Sequence, residues 1–179
     1  MAAASSQARL AEPLPDLVAP GLRAIFCGLN PGHRAAASGH HFEGRQNRFW
    51  AALHRAGITP RQLEPREDRE LLRHGYGLTT IVRRATRCAA ELSAADYLAA
   101  RPQLERRVAG LRPRWLAFLG KAGWAALSGQ GRVEWGPQQD TFGGAGVWIL
   151  PNPSGLNRGF DLDALAAAYR RLHLATQAD

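Results

Sequence analysis

Four short and largely apolar runs constrain the fold of this 179-residue chain more than any other feature. They cover residues 22–29, 76–82, 115–119 and 147–150, and stretches with helical periodicity lie between them. Strands that are buried on both faces carry continuous apolar sequence rather than alternating sequence. Short strands that alternate with helices favour a parallel sheet covered on both sides. The sequence therefore predicts an α/β fold with a central, mostly parallel sheet.

The helices and the limits of the domain are predicted from periodicity and from capping residues. Ser93 and Asp96 form a capping-box-like start of one helix, in which Pro102 limits the regularity. The predicted helices are 47–55, 66–74, 93–110, a short one that ends at Leu127, and 161–174, and an antiparallel edge strand is predicted to end near Thr141. Residues 1–19 are rich in alanine, serine and proline, which favours a flexible N-terminal tail before a single domain at 20–179.

Composition narrows the classes of partner and of cofactor. The net charge is +8, and 22 of the 23 basic residues are arginines, which favours a polyanionic partner such as DNA or RNA. A GC-rich coding sequence would raise the arginine content equally well, so charge alone does not identify the partner.

No run of 18 apolar residues predicts a membrane span, and the N-terminus lacks the pattern of a secretory signal. Cys27 and Cys88 are too few for a disulfide framework or a four-cysteine metal site, so we expect reduced thiols in a cytoplasmic protein.

Two loops rich in glycine, asparagine and proline follow the first and the last predicted strands. They are GLNPG at 28–32 and PNPSGLNR at 151–158, and in parallel α/β sheets ligands bind beyond such carboxyl ends. In the first loop, Asn30 can hold a water molecule through its carbonyl oxygen and donate from its amide nitrogen. In the second, Leu156 beside Arg158 fits a wedge that enters a nucleic-acid stack while the arginine holds a phosphate. An ordinary turn and a leucine tucked onto the core are the respective alternatives.

Four segments resemble, in order and spacing, the mismatch-specific uracil-DNA glycosylases and the related thymine-DNA glycosylases. They are GLNPG at 28–32, FEGRQNRFW at 42–50, WLAFLGKAGW at 115–124 and LPNPSGLNR at 150–158, and the similarity extends from about Pro20 to Leu174. The resemblance implies a three-layer α/β/α sandwich and a monofunctional glycosylase that needs no metal or cofactor. It also implies that the partner is double-stranded DNA with G:U or similar mismatches, and we expect a monomer that takes part in base excision repair.

The resemblance assigns roles to individual residues. Asn30 is similar to the asparagine that places the attacking water, Phe42 to the aromatic residue that stacks on the flipped pyrimidine, and Asn152 to a residue near the sugar and phosphates. The residues expected to bind the substrate are Gly28, Leu29, Pro31, Gly32, Phe42 and Asn152. The residues expected to contact DNA as the wedge and its neighbours are Ser154, Gly155, Leu156, Asn157 and Arg158.

Several positions depart from the residues that are usual in this family. A serine is common at the position of Asn157, and other residues often stand at the positions of His40 and His41. Ala35 stands where some members carry a serine. Because His40, His41 and Ala35 adjoin the expected base pocket, the choice between uracil, thymine and damaged pyrimidines stays open.

The expected reaction needs stabilisation of charge and a group that accepts a proton. Cleavage of an N-glycosidic bond develops negative charge on the leaving base, which backbone N–H groups of residues 29–32 could stabilise. Glycoside hydrolases usually work with two carboxylates, yet neither loop contains one, and the amide of Asn30 can only position water. We therefore expect a nearby carboxylate to assist, with Asp96 as the catalytic candidate beside Glu91, and with a helix-capping role as the alternative for Asp96. Glu43 is a third candidate, for which a solvated loop charge is the alternative.

Two other classes of function are compatible with parts of the sequence. A non-catalytic nucleic-acid-binding module on a glycosylase-like fold is disfavoured, because Asn30, Phe42 and Leu156 occur together. A nucleotide-binding enzyme of the Rossmann type is disfavoured, because the first strand is followed by neither a Gly-x-Gly-x-x-Gly pattern nor a P-loop. The histidines at 33, 40 and 41 lack the spacing of a zinc site, so no metal is expected.

Overall fold

The predicted apolar runs form strands of one sheet in the computed structural model, which describes residues 13–178. The strands are β1 (Ala24–Gly28), β2 (Tyr76–Thr80), β3 (Trp115–Leu119), β4 (Gly136–Phe142) and β5 (Ala145–Leu150). Their order in the sheet is β2-β1-β3-β5-β4, with β4 antiparallel to β5 and the other neighbours parallel. The prediction of a mostly parallel sheet is confirmed, and β4 is the antiparallel edge strand.

Helices connect the strands, and those that the sequence predicts begin and end close to the predicted limits. Within the described part of the chain the α-helices are α1 (His33–Ser38), α2 (Phe49–Arg55), α3 (Ala94–Leu111), α4 (Lys121–Ser128) and α5 (Leu162–Gln177). Two segments are 3₁₀ helices, Pro65–His74 and Ala89–Glu91. The first of these ends at Gly75, whose φ of 83° lies in the left-handed region that favours glycine. No helix within residues 13–178 is long and apolar enough to cross a membrane.

The sheet separates two apolar cores, one on each face. On one face Phe26 of β1 packs against Phe49 of α2 and Tyr169 of α5, with ring centroids 5.4 and 5.9 Å apart. On the other face Phe118 of β3 packs against Trp124 of α4, with centroids 5.4 Å apart, and α3 covers the same side. Successive strand residues are therefore buried on opposite sides of the sheet, which explains the continuous apolar runs. The architecture is the three-layer α/β/α sandwich that the sequence predicts.

Residues 13–19, which the sequence assigns to a flexible tail, are packed against the sheet. Leu14 and Leu17 are buried, and Leu17 exchanges two backbone hydrogen bonds with Leu78 of β2, at 2.9 and 2.7 Å. The Asp16 carboxylate lies 2.7 Å from the Arg83 guanidinium and 3.2 Å from that of Arg107. These contacts fix the segment along the outer edge of β2, so the expected boundary at residue 20 lies inside packed chain. Residues 1–12 of the expected tail lie outside the described residues.

Candidate active site

A cleft of about 510 Å³ opens at the carboxyl ends of the strands, where the sequence places the two loops. Its walls come from the loop after β1, from residues 41–43, from residues 86–90 and from the loop after β5. The two loops lie about 120 positions apart in the sequence, and β3 alone separates their strands in the sheet. The volume is in the range of small-molecule sites, and the site lies where ligands of parallel α/β sheets bind.

The side-chain amide of Asn30 is held in one orientation. Its Nδ2 donates to the backbone oxygen of Arg84 at 2.8 Å and to Oγ1 of Thr86 at 2.7 Å. Thr86 is itself fixed, because its hydroxyl donates to the Cys88 oxygen at 2.8 Å and its N–H donates to the Pro31 oxygen at 3.1 Å. Both amide hydrogens are used, so Oδ1 of Asn30 is the atom that remains to accept a hydrogen bond from a molecule in the cleft.

Phe42 contributes an aromatic wall of the cleft. Its ring stacks on that of Phe49, with centroids 3.9 Å apart and planes inclined by 22°. Its φ of 56° lies in the left-handed region, which costs a bulky residue about 1–3 kcal/mol and must be enforced by its surroundings. A Cβ at Gly28 would make an ordinary van der Waals contact with the Phe42 ring at 4.0 Å, so Gly28 and Phe42 border the same part of the cleft.

Buried polar contacts of His41 hold the backbone of Phe42 in place. Burial lowers the pKa of His41, and the neutral ring donates from Nε2 to the Pro15 oxygen at 2.8 Å. The N–H of His41 donates to the buried carboxylate of Asp68 at 3.2 Å, and Trp50 Nε1 donates to the His41 oxygen at 3.3 Å. The packed residues 13–19 thus support the pocket wall that carries Phe42.

The loop after β5 is organised by its own asparagines. Asn152 donates from Nδ2 to the Leu119 oxygen at 3.3 Å and accepts the N–H of Ser154 on Oδ1 at 2.9 Å. Asn157 donates from its side chain to the Asn152 oxygen at 2.9 Å. These bonds project Leu156 outward, where it is 77% exposed at the rim of the cleft. A leucine tucked onto the core is therefore not what the structure shows.

Arg48 ties this loop to the segment that carries Phe42. Its guanidinium donates to the backbone oxygens of Pro153, Ser154, Asn157 and Phe160 at 3.4, 2.8, 2.9 and 2.5 Å. The two segments are also in close contact at Gly155, where a Cβ would lie 2.7 Å from Cβ of Gln46. One planar cation satisfies four carbonyls, which fixes the loop by a geometry that lysine cannot reproduce.

A family model described as the uracil DNA glycosylase superfamily matches residues 15–173. The chain belongs to the uracil-DNA glycosylase superfamily. It is similar to the solution NMR structure of a proposed uracil DNA glycosylase from Methanosarcina acetivorans, with a TM-score of 0.55 and 16% sequence identity over 91% of this chain and 98% of that one. The structural similarity supports the fold. Membership of this superfamily supports DNA glycosylase activity, which is the hydrolytic removal of uracil from DNA.

Most of the predicted site residues of this superfamily member line the cleft. They are Gly28, Leu29, Asn30, Pro31, Gly32, Phe42, Asn152, Ser154, Leu156 and Asn157. Gly155 and Arg158 lie in the same loop outside the lining, and Arg158 is exposed. The topology thus brings both predicted loops to one site, and the roles of the individual residues stay predictions.

The three candidate carboxylates occupy different places. Asp96 lies outside the cleft lining, where it caps α3 by accepting the N–H and hydroxyl of Ser93 at 2.8 and 2.9 Å and pairs with Arg84 at 3.2 Å. Glu91 also lies outside the lining and accepts the N–H groups of Arg87 and Cys88 at 3.0 and 3.1 Å. Glu43 lines the cleft. Of the three, Glu43 alone belongs to the cleft lining, and the catalytic role expected of Asp96 stays a prediction.

Thr86 and Arg48 are the site residues that the sequence does not reveal. Arg48 stands within the FEGRQNRFW segment, but its acceptors are backbone oxygens 105–112 positions later. Thr86 orients an amide 56 positions earlier in the chain. The residue types give no signal for either contact, because any residue offers a backbone oxygen and threonine is common in loops.

Proposed function

We propose that this protein is a monofunctional DNA glycosylase that removes uracil from G:U mismatches in duplex DNA, acting on a nucleotide flipped out of the helix. The observation that carries the proposal is the fixed amide of Asn30, whose Oδ1 is directed by two hydrogen bonds on Nδ2. An oxygen held in this way can position a water molecule for attack on the C1′ atom of a deoxyribose. Positioning of a nucleophile contributes several kcal/mol to catalysis.

The shape of the cleft supports base flipping. A base stacked in a duplex cannot enter a recessed cleft of about 510 Å³, so the target nucleotide must leave the helix. Phe42 rests one ring face on Phe49, and we propose that its other face stacks on the extruded pyrimidine. The loop of residues 28–32 lines the same cleft, and its N–H groups would stabilise the charge that develops on the leaving base.

The loop after β5 supports selectivity for mismatches. Leu156 is 77% exposed on a loop that Arg48 clamps from behind, which suits a rigid wedge that fills the vacated space in the stack. Arg158 is exposed beside it and fits a phosphate or the unpaired guanine. A mispaired uracil costs least to extrude, so selectivity follows from the cost of opening the pair.

The lysine content supports a monofunctional enzyme. A glycosylase that also cleaves the strand forms a Schiff base between an amine and the sugar. Lys121 is the single lysine of the sequence, and it lies outside the cleft lining with its ammonium 4.5 Å from the centre of the Trp135 ring. Water positioned at Asn30 is therefore the proposed nucleophile, and an intact abasic strand is the expected product.

A panel of oligonucleotides tests this function. Single-turnover excision should be fastest on G:U duplex, slower on A:U, and should leave an abasic site that breaks only after alkali. G:T duplex and single-stranded uracil complete the panel, and Asn30→Ala serves as the inactive control. Equal rates on G:U and A:U would remove the mismatch selectivity, and absence of excision from every substrate would favour the non-catalytic binding module.

A further inference from the structure

Glu43 is an acidic side chain in the cleft to which the proposed mechanism gives no role. It directly follows Phe42, and among the described residues that line the cleft it is the single carboxylate. Its Oε2 atom is buried and has no hydrogen-bond partner within residues 13–178. Glu43 as a whole is half-buried, and this enclosed oxygen without a partner differs from the solvated loop charge that is the alternative for Glu43.

An unpaired buried carboxylate oxygen destabilises the free protein. Removal of a charged oxygen from water costs several kcal/mol unless hydrogen bonds or an opposite charge offset it. The sequence has 22 arginines, yet Glu43 takes part in no ion pair of the described residues, whereas Asp96 and Glu91 are both satisfied by neighbours. The cost is offset if the oxygen gains its partner when substrate and water enter the cleft.

The chemistry of hydrolysis needs such a group. The amide of Asn30 can hold a water molecule but cannot take its proton. We propose, building on the proposed glycosylase function, that Glu43 is the catalytic carboxylate that accepts the proton of the water held by Asn30 Oδ1. Glu43 and Asn30 line the same cleft of about 510 Å³, a volume in the range of small-molecule sites.

The step conserves atoms and charge. The bond between C1′ and the base nitrogen breaks, and its electron pair stays on the base. The water oxygen forms a bond to C1′, and one water proton passes to the Glu43 carboxylate. That proton then moves to the departing base anion or to solvent, which returns Glu43 to its ionised form. A negative carboxylate would also stabilise the positive charge that develops on the sugar.

Variants at Glu43 test this role by the pH dependence of the rate. The other titratable side chains that line the cleft are His41, Arg87 and Cys88. Single-turnover rates on G:U duplex would be measured across the acidic and neutral range for the wild type, Glu43→Gln and Glu43→Asp, with Glu105→Gln on α3 as the matched control. We expect Glu43→Gln to lose about 100-fold or more at neutral pH, together with the acidic limb of the profile, and Glu43→Asp to keep that limb.

Three further measurements separate catalysis from a structural role. Affinity for duplex that carries a non-cleavable 2′-fluoro uracil nucleotide should be unchanged in Glu43→Gln. Formate should partly restore the rate of Glu43→Ala. The melting temperature of Glu43→Gln should stay close to that of the wild type, because Oε2 of Glu43 has no hydrogen-bond partner within residues 13–178 to lose.

The outcomes separate the two proposals. If the wild type excises uracil and Glu43→Gln matches it in rate and pH profile, the role of Glu43 is overturned while the glycosylase function stands. The catalytic role of Glu43 is also overturned if Glu43→Gln is slower but keeps the wild-type pH profile and binds DNA more weakly. Glu43 would then contribute to binding of the base. If the wild type excises no uracil, both proposals fall together.

Discussion

Nδ2 of Asn30 donates to Oγ1 of Thr86 at 2.7 Å, which joins the loop after β1 to the loop after β2. The same pair is reinforced by the backbone, since the N–H of Thr86 donates to the Pro31 oxygen at 3.1 Å. An amide can rotate by 180° at little cost unless its surroundings distinguish nitrogen from oxygen. Thr86 and the Arg84 oxygen supply that distinction, and the proposed water site depends on it.

Thr86→Val should therefore slow excision of uracil by about 10-fold, because loss of a hydrogen bond near 1.4 kcal/mol corresponds to a tenfold change in rate. Thr86→Ser keeps the acceptor and should stay close to the wild type. The measurement is single-turnover excision on G:U duplex, with DNA affinity determined in parallel. A Thr86→Val protein with the wild-type rate would show that the Arg84 oxygen alone orients Asn30.

Asn30→Ala should lose several orders of magnitude in rate while its affinity for duplex DNA stays within a small factor of the wild type. The physical reason is that the substitution removes the oxygen that places the water but leaves the wedge loop and the pocket wall intact. Single-turnover kinetics and fluorescence anisotropy check the two quantities separately. Substantial activity in this variant would mean that another residue places the water, and Glu43 is then the side chain to examine first.

Arg48→Lys should lower the rate of uracil excision, and the loss should be larger on substrates whose base pair costs more free energy to open. A point charge cannot satisfy the oxygens of Pro153, Ser154, Asn157 and Phe160 together, so the wedge loop should lose its fixed geometry. We expect a fall of about 10-fold or more on G:U duplex and a smaller fall on uracil opposite an abasic analogue, which needs little opening. Arg45→Lys, an exposed neighbour, is the matched control. Equal losses on both substrates would assign Arg48 a general structural role.

The fold could be predicted largely from the sequence because the strands are buried on both faces and carry continuous apolar runs. Helix α1 escaped prediction because its six residues, HRAAAS, show no apolar periodicity. The packing of residues 13–19 escaped it as well. Leu14 and Leu17 lie in the proline-rich stretch PLPDLVAP at 13–20, which has no strand or helix periodicity, and the strand that pairs with Leu17 begins at Tyr76, far along the chain.

The position of the candidate site was predictable from the sequence, because the topology of the sheet determines where the two loops lie. Loops at the carboxyl ends of parallel strands must meet, and the two predicted loops do line one cleft. The partners of individual side chains were not predictable, because Arg48 and Asn30 bind backbone oxygens that any residue carries. The ranking of Asp96 above Glu43 rested on position along the chain, whereas burial and pairing depend on the folded surface.

Leu156→Ala should slow excision from duplex DNA by weakening the wedge, and Arg158→Ala should weaken binding in a salt-dependent manner. Leu156 is 77% exposed, so its truncation should leave the melting temperature unchanged. If Arg158 neutralises one phosphate, its removal should reduce the slope of log affinity against log salt by about 1. Leu174→Ala, an exposed leucine on α5, is the control for surface truncation. Unchanged rate and affinity in both variants would leave the loop with a structural role only.

Asp96→Ala should lower the melting temperature while the rate of uracil excision stays near that of the wild type. The pKa of Asp96 is lowered, first by the backbone N–H of Ser93, then by the Ser93 hydroxyl and the Arg84 guanidinium. A carboxyl with a lowered folded-state pKa contributes stability that is complete above its ordinary pKa of 3.8 and is lost as pH falls through the lowered value. The difference in melting temperature between wild type and variant should therefore be constant at neutral pH and shrink below about pH 4.

Ser93→Ala removes the hydroxyl that takes part in the same cap, so this variant should also melt at a lower temperature and keep its excision rate. A folded Asp96→Ala protein that excises no uracil would instead make Asp96 a positioning residue, which acts from outside the cleft lining through Arg84 and the Asn30 amide that the Arg84 oxygen holds.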